Sequence, residues 1–272
     1  MVFLNSNPIL NHFKRGNAIL CLGFLSALFV LPAGTPSPVR AGEPAEPWGY
    51  EGGTGPRHWG EMEQDHDKHI MCREGVHQSP VDIREVLGVE KLDLKSRYRE
   101  TPVQIINNRH TILLRVEPGS YIQWDDERFE LIQFHFHHPS EHLLKGNAYP
   151  MEIHFVHRAA DHEYVVLAVF ARVGREHPRI EKLWDKIPQE IDREKTYSDE
   201  RLSAGDLIPD SKVYYHYTGS LTTPPCTENV TWLVLEEPIE ISQEQLEHFQ
   251  KHIRQNARPV QKLHHRIIVE LK

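Results

Sequence analysis

Residues 131–142 read LIQFHFHHPSEH, four histidines and a glutamate in twelve positions, with Phe134 and Phe136 alternating with His135 and His137. Alternation at period two is the strand period, so the two imidazoles share one face and the two phenylalanines the other. Neutral imidazole is the commonest metal ligand, and His-x-His on a strand lets both rings reach one ion. A half-buried strand whose histidines bond to neighbours would show the same pattern. A second strand changes the weight of the two readings. In Glu152-Ile153-His154-Phe155-Val156-His157, the residues Glu152, His154 and Val156 share a face. If this strand lies beside the first, His154 is a third ligand. Zinc held by three histidines keeps its fourth position for water, which is the catalytic arrangement and not the structural one. Gln133 and Glu152 stand two positions before His135 and His154 on the same faces, where each could accept from the imidazole's other nitrogen. By parity His138 and His157 point away from that face. With His142 they read as structural or exposed.

Strands must carry these residues, and strand-like runs dominate the chain. They lie at 103–107, 111–116, 121–124, 129–137, 152–157, 164–173, 213–217, 231–235 and 267–271. Helical periodicity is confined to 178–186 and 242–256, where Ser242 and Gln245 have the spacing of a capping box. The expected fold is mostly β (α+β), one domain built on a large, mainly antiparallel sheet with short peripheral helices. A length of 272 residues with 39% hydrophobic and 26% charged residues fits such a domain.

The first 41 residues differ in kind. Lys14 and Arg15 precede a 14-residue apolar run, Ala18 to Leu31, and the segment ends Val39-Arg40-Ala41. This is the pattern of a cleaved secretory signal peptide, and the run is short for a retained membrane anchor. The mature domain is then 42–272, secreted or periplasmic, with no stable membrane association after cleavage. The segment carries three basic and no acidic side chains, so its removal takes the net charge from −8 to −11. That acidity argues against nucleic acid or an anionic membrane surface as a partner. Export leaves two cysteines, Cys72 and Cys226, which in an oxidising compartment read as a disulfide in preference to two buried thiols.

Several blocks together resemble the α-class carbonic anhydrases, and in particular their bacterial, exported members. They are Gln133-Phe134-His135-Phe136-His137, Ser140-Glu141-His142, Glu152-Ile153-His154 and Ser220-Leu221-Thr222-Thr223-Pro224-Pro225. Flanking blocks run in order from Trp48-Gly49-Tyr50-Glu51-Gly52 through Gln78-Ser79-Pro80-Val81-Asp82-Ile83 to Asn256-Ala257-Arg258-Pro259. The resemblance implies a twisted ten-stranded sheet with a Zn(2+) ion at the floor of a cavity, held by His135, His137 and His154 and oriented through Gln133 and Glu152. It implies reversible hydration of CO2 to bicarbonate by zinc-bound hydroxide, with a secondary esterase activity open. Thr222 would orient the hydroxide and pass its own proton to Glu141. Val156, Val166, Leu221, Thr222, Thr223, Val230 and Trp232 would receive CO2. His110 would shuttle the proton, with Tyr50 and Asn108 ordering the intervening water. It also implies cis bonds at Ser79-Pro80 and Pro224-Pro225, and it leaves a homodimer open. His138-Pro139 departs from the tryptophan-glycine of many animal members. No matched catalytic position is lost, whereas the family's non-catalytic binding members lack ligand histidines. A zinc esterase or a periplasmic zinc-storage protein are the rival functions, and the intact Thr222 and Glu141 pair counts against storage.

Overall fold

The structure is a computed structural model, and it describes residues 48–62, 69–89, 94–160, 163–211 and 213–272. The expected signal peptide and the boundary at residue 41 lie outside the described residues. No helix among the described residues is long and apolar enough to cross a membrane.

Among the described residues, ten strands form one continuous path within a 13-stranded mixed sheet. They are β1 (Val86–Val89), β2 (Glu100–Asn107), β3 (Ile112–Arg115), β4 (Glu127–His137), β5 (Met151–Arg158), β6 (Tyr164–Val173), β7 (Lys195–Ser203), β8 (Tyr214–Ser220), β9 (Glu228–Leu235) and β10 (Ile268–Leu271). Their order is β7-β2-β3-β4-β5-β6-β9-β8-β10-β1, antiparallel except at β6/β9 and β10/β1, where the pairs are parallel. Parallel neighbours require a long crossover, and the connection from β6 to β9 contains helix α1 (Pro178–Trp184), β7 and β8. Helix α2 (Gln243–His252) begins with the expected capping box. The Ser242 hydroxyl accepts from Gln245 N–H, and the Gln245 side chain accepts from Ser242 N–H.

The sheet divides the interior in two. One face packs Phe134, Phe136, Ile153, Phe155, Leu167 and Val169 with Trp184 and Phe249 from the helices. The other carries a smaller cluster around Val156, Val166, Tyr217 and Trp232. The phenylalanines interleaved with the histidines therefore do a single job. Phe134 stacks on Phe155 at 5.4 Å and Phe136 meets Trp184 edge-on at 4.8 Å, which seats β4 and β5 so that their histidines face the other side.

That orientation depends on an irregularity. Gln133 pairs with Val156 while Leu131 pairs with His157, so Ile132 is an extra residue in β4. A bulge of this kind reverses parity along the strand. Phe129 and Leu131 before it and Phe134 and Phe136 after it all face the same core. Gln133, His135 and His137 consequently line up on the opposite face. His157, as expected from parity, lies on the core side, fully buried with its Nε2 3.1 Å from the Tyr98 hydroxyl. Burial pushes its pKa down to about 3, so it stays neutral.

Candidate metal centre and its pocket

The register of the sheet assembles the site. His135 and His154 are direct cross-strand partners on β4 and β5, and His137 faces Glu152. Adjacent strands lie about 4.8 Å apart, and the three rings close on one point. Their centroids are 4.9 Å (His135/His137), 5.3 Å (His135/His154) and 4.5 Å (His137/His154) apart. One ligand atom from each lies within 4.8 Å of those of the other two.

Each ring has one nitrogen occupied and one left to point inward. His135 Nδ1 lies 2.9 Å from Gln133 Oε1, His137 Nδ1 lies 2.8 Å from the Asn256 carbonyl, and His154 Nε2 lies 2.8 Å from Glu152 Oε1. Those acceptors place the N–H, so the lone pairs fall on His135 Nε2, His137 Nε2 and His154 Nδ1. Burial lowers the pKa of all three, that of His137 to about 4, which keeps them neutral and able to donate a lone pair. Burial by itself would raise the carboxyl of Glu152. The nearby His142 and His154, with their hydrogen bonds, outweigh that burial and hold its carboxyl well below the usual range. It also accepts from the N–H groups of Glu141 and His142 at 2.8 and 2.9 Å.

His137 Nε2 and Glu141 Oε2 are buried with no hydrogen-bond partner, and they lie 3.5 Å apart. An unpartnered buried polar atom costs roughly 1–3 kcal/mol. His137 Nε2, at the focus of three imidazoles, fits a site that a cation completes, while Glu141 Oε2 is left facing the Thr222 hydroxyl. Glu141 is fixed by Arg258 N–H at 2.8 Å. Burial raises its carboxyl to about 7, against the partial relief given by His154, the Thr222 hydroxyl and the Arg258 N–H.

A pocket of about 300 Å³ opens onto His135 and His154, with Val156, Val166, Leu221, Thr222, Thr223 and Trp232 on its walls, while His137 is buried behind them. Gln133, Val156, Val166 and Trp232 are successive partners across four strands, so one row of the sheet builds this wall. Val230 is fully buried and does not line the pocket. Ile132, Arg158 and Tyr164 line it, and the sequence reading passed over them. Parity along β5 could have found Arg158, two positions after Val156; Ile132 carries no such signal because the bulge puts it there.

His110 and Tyr50 stand on a second pocket of about 340 Å³, and the His110 ring lies flat on Trp48 with centroids 3.7 Å apart. Asn108 Oδ1 accepts from His110 N–H (3.1 Å) and Thr111 N–H (2.8 Å), which shapes the turn carrying His110. Asn256 joins the two regions. Its carbonyl holds His137, and its amide donates to the carbonyls of His110 and Phe136, both at 2.9 Å. His142 is fully buried, between Glu152 Oε1 at 2.6 Å and the Tyr217 hydroxyl at 2.6 Å, so it is structural and not exposed.

The loop bearing Thr222 is tied down from outside the sheet. Cys226 is bonded to Cys72, Gln78 Nε2 donates to the Cys226 carbonyl (3.1 Å), and Leu221 N–H donates to the Thr227 carbonyl (2.9 Å). Arg258 reaches Gln78, the Ser79 carbonyl and the Cys72 carbonyl from the same residue that holds Glu141. Ser79-Pro80 and Pro224-Pro225 are cis as expected, and so is His138-Pro139. The disulfide spans 154 residues, for which loop-closure entropy gives a stabilisation of roughly 5 kcal/mol. Replacing both cysteines with serine should lower the denaturant midpoint by a corresponding amount and reduce activity only as the Thr222 loop loosens. A midpoint that does not move would refute this.

Residues 54–272 match the family model described as eukaryotic-type carbonic anhydrase. The chain belongs to this family. It is 40% identical to a carbonic anhydrase of Nostoc over 228 residues, which covers 82% of this chain and 85% of that protein. It is 41% identical to a carbonic anhydrase of Pectobacterium carotovorum, covering 82% and 90%. A hyperthermostable carbonic anhydrase from a hydrothermal vent chimney, known as a solved structure, superposes with a TM-score of 0.79 at 46% identity, covering 83% of this chain and all of that one. The protein is an enzyme of the carbonic anhydrase class, whose general reaction is the hydration of CO2.

Proposed function

We propose that the chain is a zinc enzyme hydrating CO2 reversibly, exported to the periplasm or beyond, with His135 Nε2, His137 Nε2 and His154 Nδ1 holding the ion. The observation that carries this is the three inward lone pairs on buried neutral imidazoles, that of His137 Nε2 having no hydrogen-bond partner. Zinc at such a site supplies a Lewis acid that brings the pKa of a water ligand to about 7, the established figure for carbonic anhydrase, and so makes hydroxide available at neutral pH.

The remaining work belongs to the chain. Glu141 is occupied on one oxygen by Arg258 N–H, and the Thr222 hydroxyl is its other neighbour. With its proton committed to Glu141, the Thr222 oxygen can only accept, so it turns the nucleophile's lone pair toward the apolar wall. Val156, Val166, Leu221 and Trp232 form that wall, where CO2 finds no competing hydrogen-bond donor. Thr223 flanks it, and Val230 supports it from the core. Gln133, Glu152 and the Asn256 carbonyl hold the three rings in register. The proton produced by each turnover leaves through His110, with Tyr50 and Asn108 shaping the water path; burial raises the Tyr50 phenol well above its usual range, so it serves as a donor and not a base.

CO2 hydration and activated-ester hydrolysis, measured on one preparation before and after chelation, test the reading. Both activities should vanish on chelation and return with zinc, CO2 hydration being the far faster. Ester hydrolysis without CO2 hydration would favour an esterase. Zinc binding without either would favour storage.

A further inference from the structure

The reading of His110 as a relay leaves open where its proton goes next, because the ring is half-buried against Trp48. The second pocket answers this. Besides Trp48, Tyr50 and His110, it is lined by Glu51, Arg109, His252 and Arg254. Imidazole is the only one of these side-chain types whose ordinary pKa lies near neutrality; carboxylate, phenol and guanidinium lie well away from it. Two such groups, His110 and His252, therefore face one solvent-open space of about 340 Å³ from different segments of the chain. At about 30 Å³ per molecule this space accommodates a chain of several waters. His252 is the last residue of α2, and His248 lies one turn back with its ring 5.7 Å away.

We propose that His252, with His248 beside it, is an outer station of the proton path, receiving through pocket water the proton that His110 takes from the site. This rests on the relay reading of His110 above. The transfer is balanced: an N–H bond on protonated His110 breaks with its electron pair left on the ring nitrogen, water carries the proton, and a ring nitrogen of His252 forms the new N–H. Buffer base then removes it.

Burial lowers the pKa of His110, partly offset by Asp192 and reinforced by Arg109. Burial also lowers that of His252, and His248 and Lys251 add to the lowering. Both rings are therefore neutral at neutral pH and free to accept a proton, and neither is built to store one. Arg254 and Glu51 face the same space as an ion pair at 3.8 Å and contribute little net field.

The test is a cycle on the zinc-loaded full enzyme: wild type, His252→Gln, His110→Ala and the double variant, assayed in about 1 mM of a bulky buffer and again with imidazole added. His252→Gln is expected to lower kcat about two- to fivefold in dilute buffer, leave kcat/KM unchanged and be restored by imidazole. Melting temperature and zinc content should not change, since the residue is half-exposed at a helix end. In the His110→Ala background the second substitution should add nothing, because an outer station has no proton to receive. An unchanged kcat for His252→Gln, with His110→Ala impaired, overturns the proposal while leaving the relay role of His110 standing. Equal losses in both backgrounds also overturn it, since His252 would then act independently. No effect from His110→Ala itself would remove the reading on which it rests.

Discussion

His154→Ala is expected to lower zinc affinity by orders of magnitude and abolish CO2 hydration. A tetrahedral ion with three protein ligands loses a whole ligand at once. The loss is sharpened here because His154 also shares Glu152 Oε1 with His142, at 2.8 and 2.6 Å, so the carboxylate that positions the ring would be left with a different balance of partners. Glu152→Gln keeps all three ligand rings and alters the group that holds His154, along with the acceptor for the His142 ring and the Glu141 and His142 N–H groups, and such a change costs about 10–100-fold in affinity. Metal content after dialysis against a graded chelator series reads both. Full occupancy with normal activity in His154→Ala would end the three-histidine reading, whether or not the variant is less stable.

His110→Ala is expected to lower kcat by up to about 100-fold in dilute buffer. A proton handed directly from an acid of pKa about 7 to water climbs roughly nine pK units, near 12 kcal/mol, which caps turnover on the order of 10⁴ s⁻¹. Carbonic anhydrase is established to reach about 10⁶ s⁻¹, so a relay supplies the difference. CO2 attack precedes the proton step, so kcat/KM should hardly change, and added imidazole should restore kcat. The pH profile carries a sign. His110 accepts a proton only while neutral, and its pKa is lowered from 6.5 by burial. In dilute buffer, kcat should therefore hold as pH falls through 6.5 and decline only below it, and this inflection should disappear in His110→Ala. An unchanged kcat in dilute buffer would make His110 a surface histidine and send the proton by another route.

The strand carrying the opening histidines was legible because period-two alternation is local. Phe134 and Phe136 against His135 and His137 need nothing beyond β4 to be sorted onto two faces, and Glu152, His154 and Val156 are sorted in the same way on β5. The capping box of α2 was legible for the same reason, its partners being three residues apart. Strands β1 and β7 were not. β7 carries mostly exposed or half-buried polar residues, Lys195 to Ser203, and is a strand only because β2 offers it a ladder. The parallel pairs were equally hidden, since pairing direction depends on where a crossover returns and not on the residues of either strand.

In the site the division is the same. Ligand type and ligand face came from spacing, and the roles of Thr222, Glu141 and His110 came from family likeness. What folding alone decided is the bulge at Ile132, which joins two hydrophobic registers of β4 to one core while aiming Gln133, His135 and His137 at the pocket. Folding also recruited Asn256, whose carbonyl holds His137 across 119 positions of sequence, and Arg258, whose backbone and side chain join Glu141 to Cys72. Backbone carbonyls and N–H groups are present at every residue, so no residue type announces which of them will be used. Only the closed chain, with α2 and the segment after it laid against β4, brings those groups within reach of an imidazole.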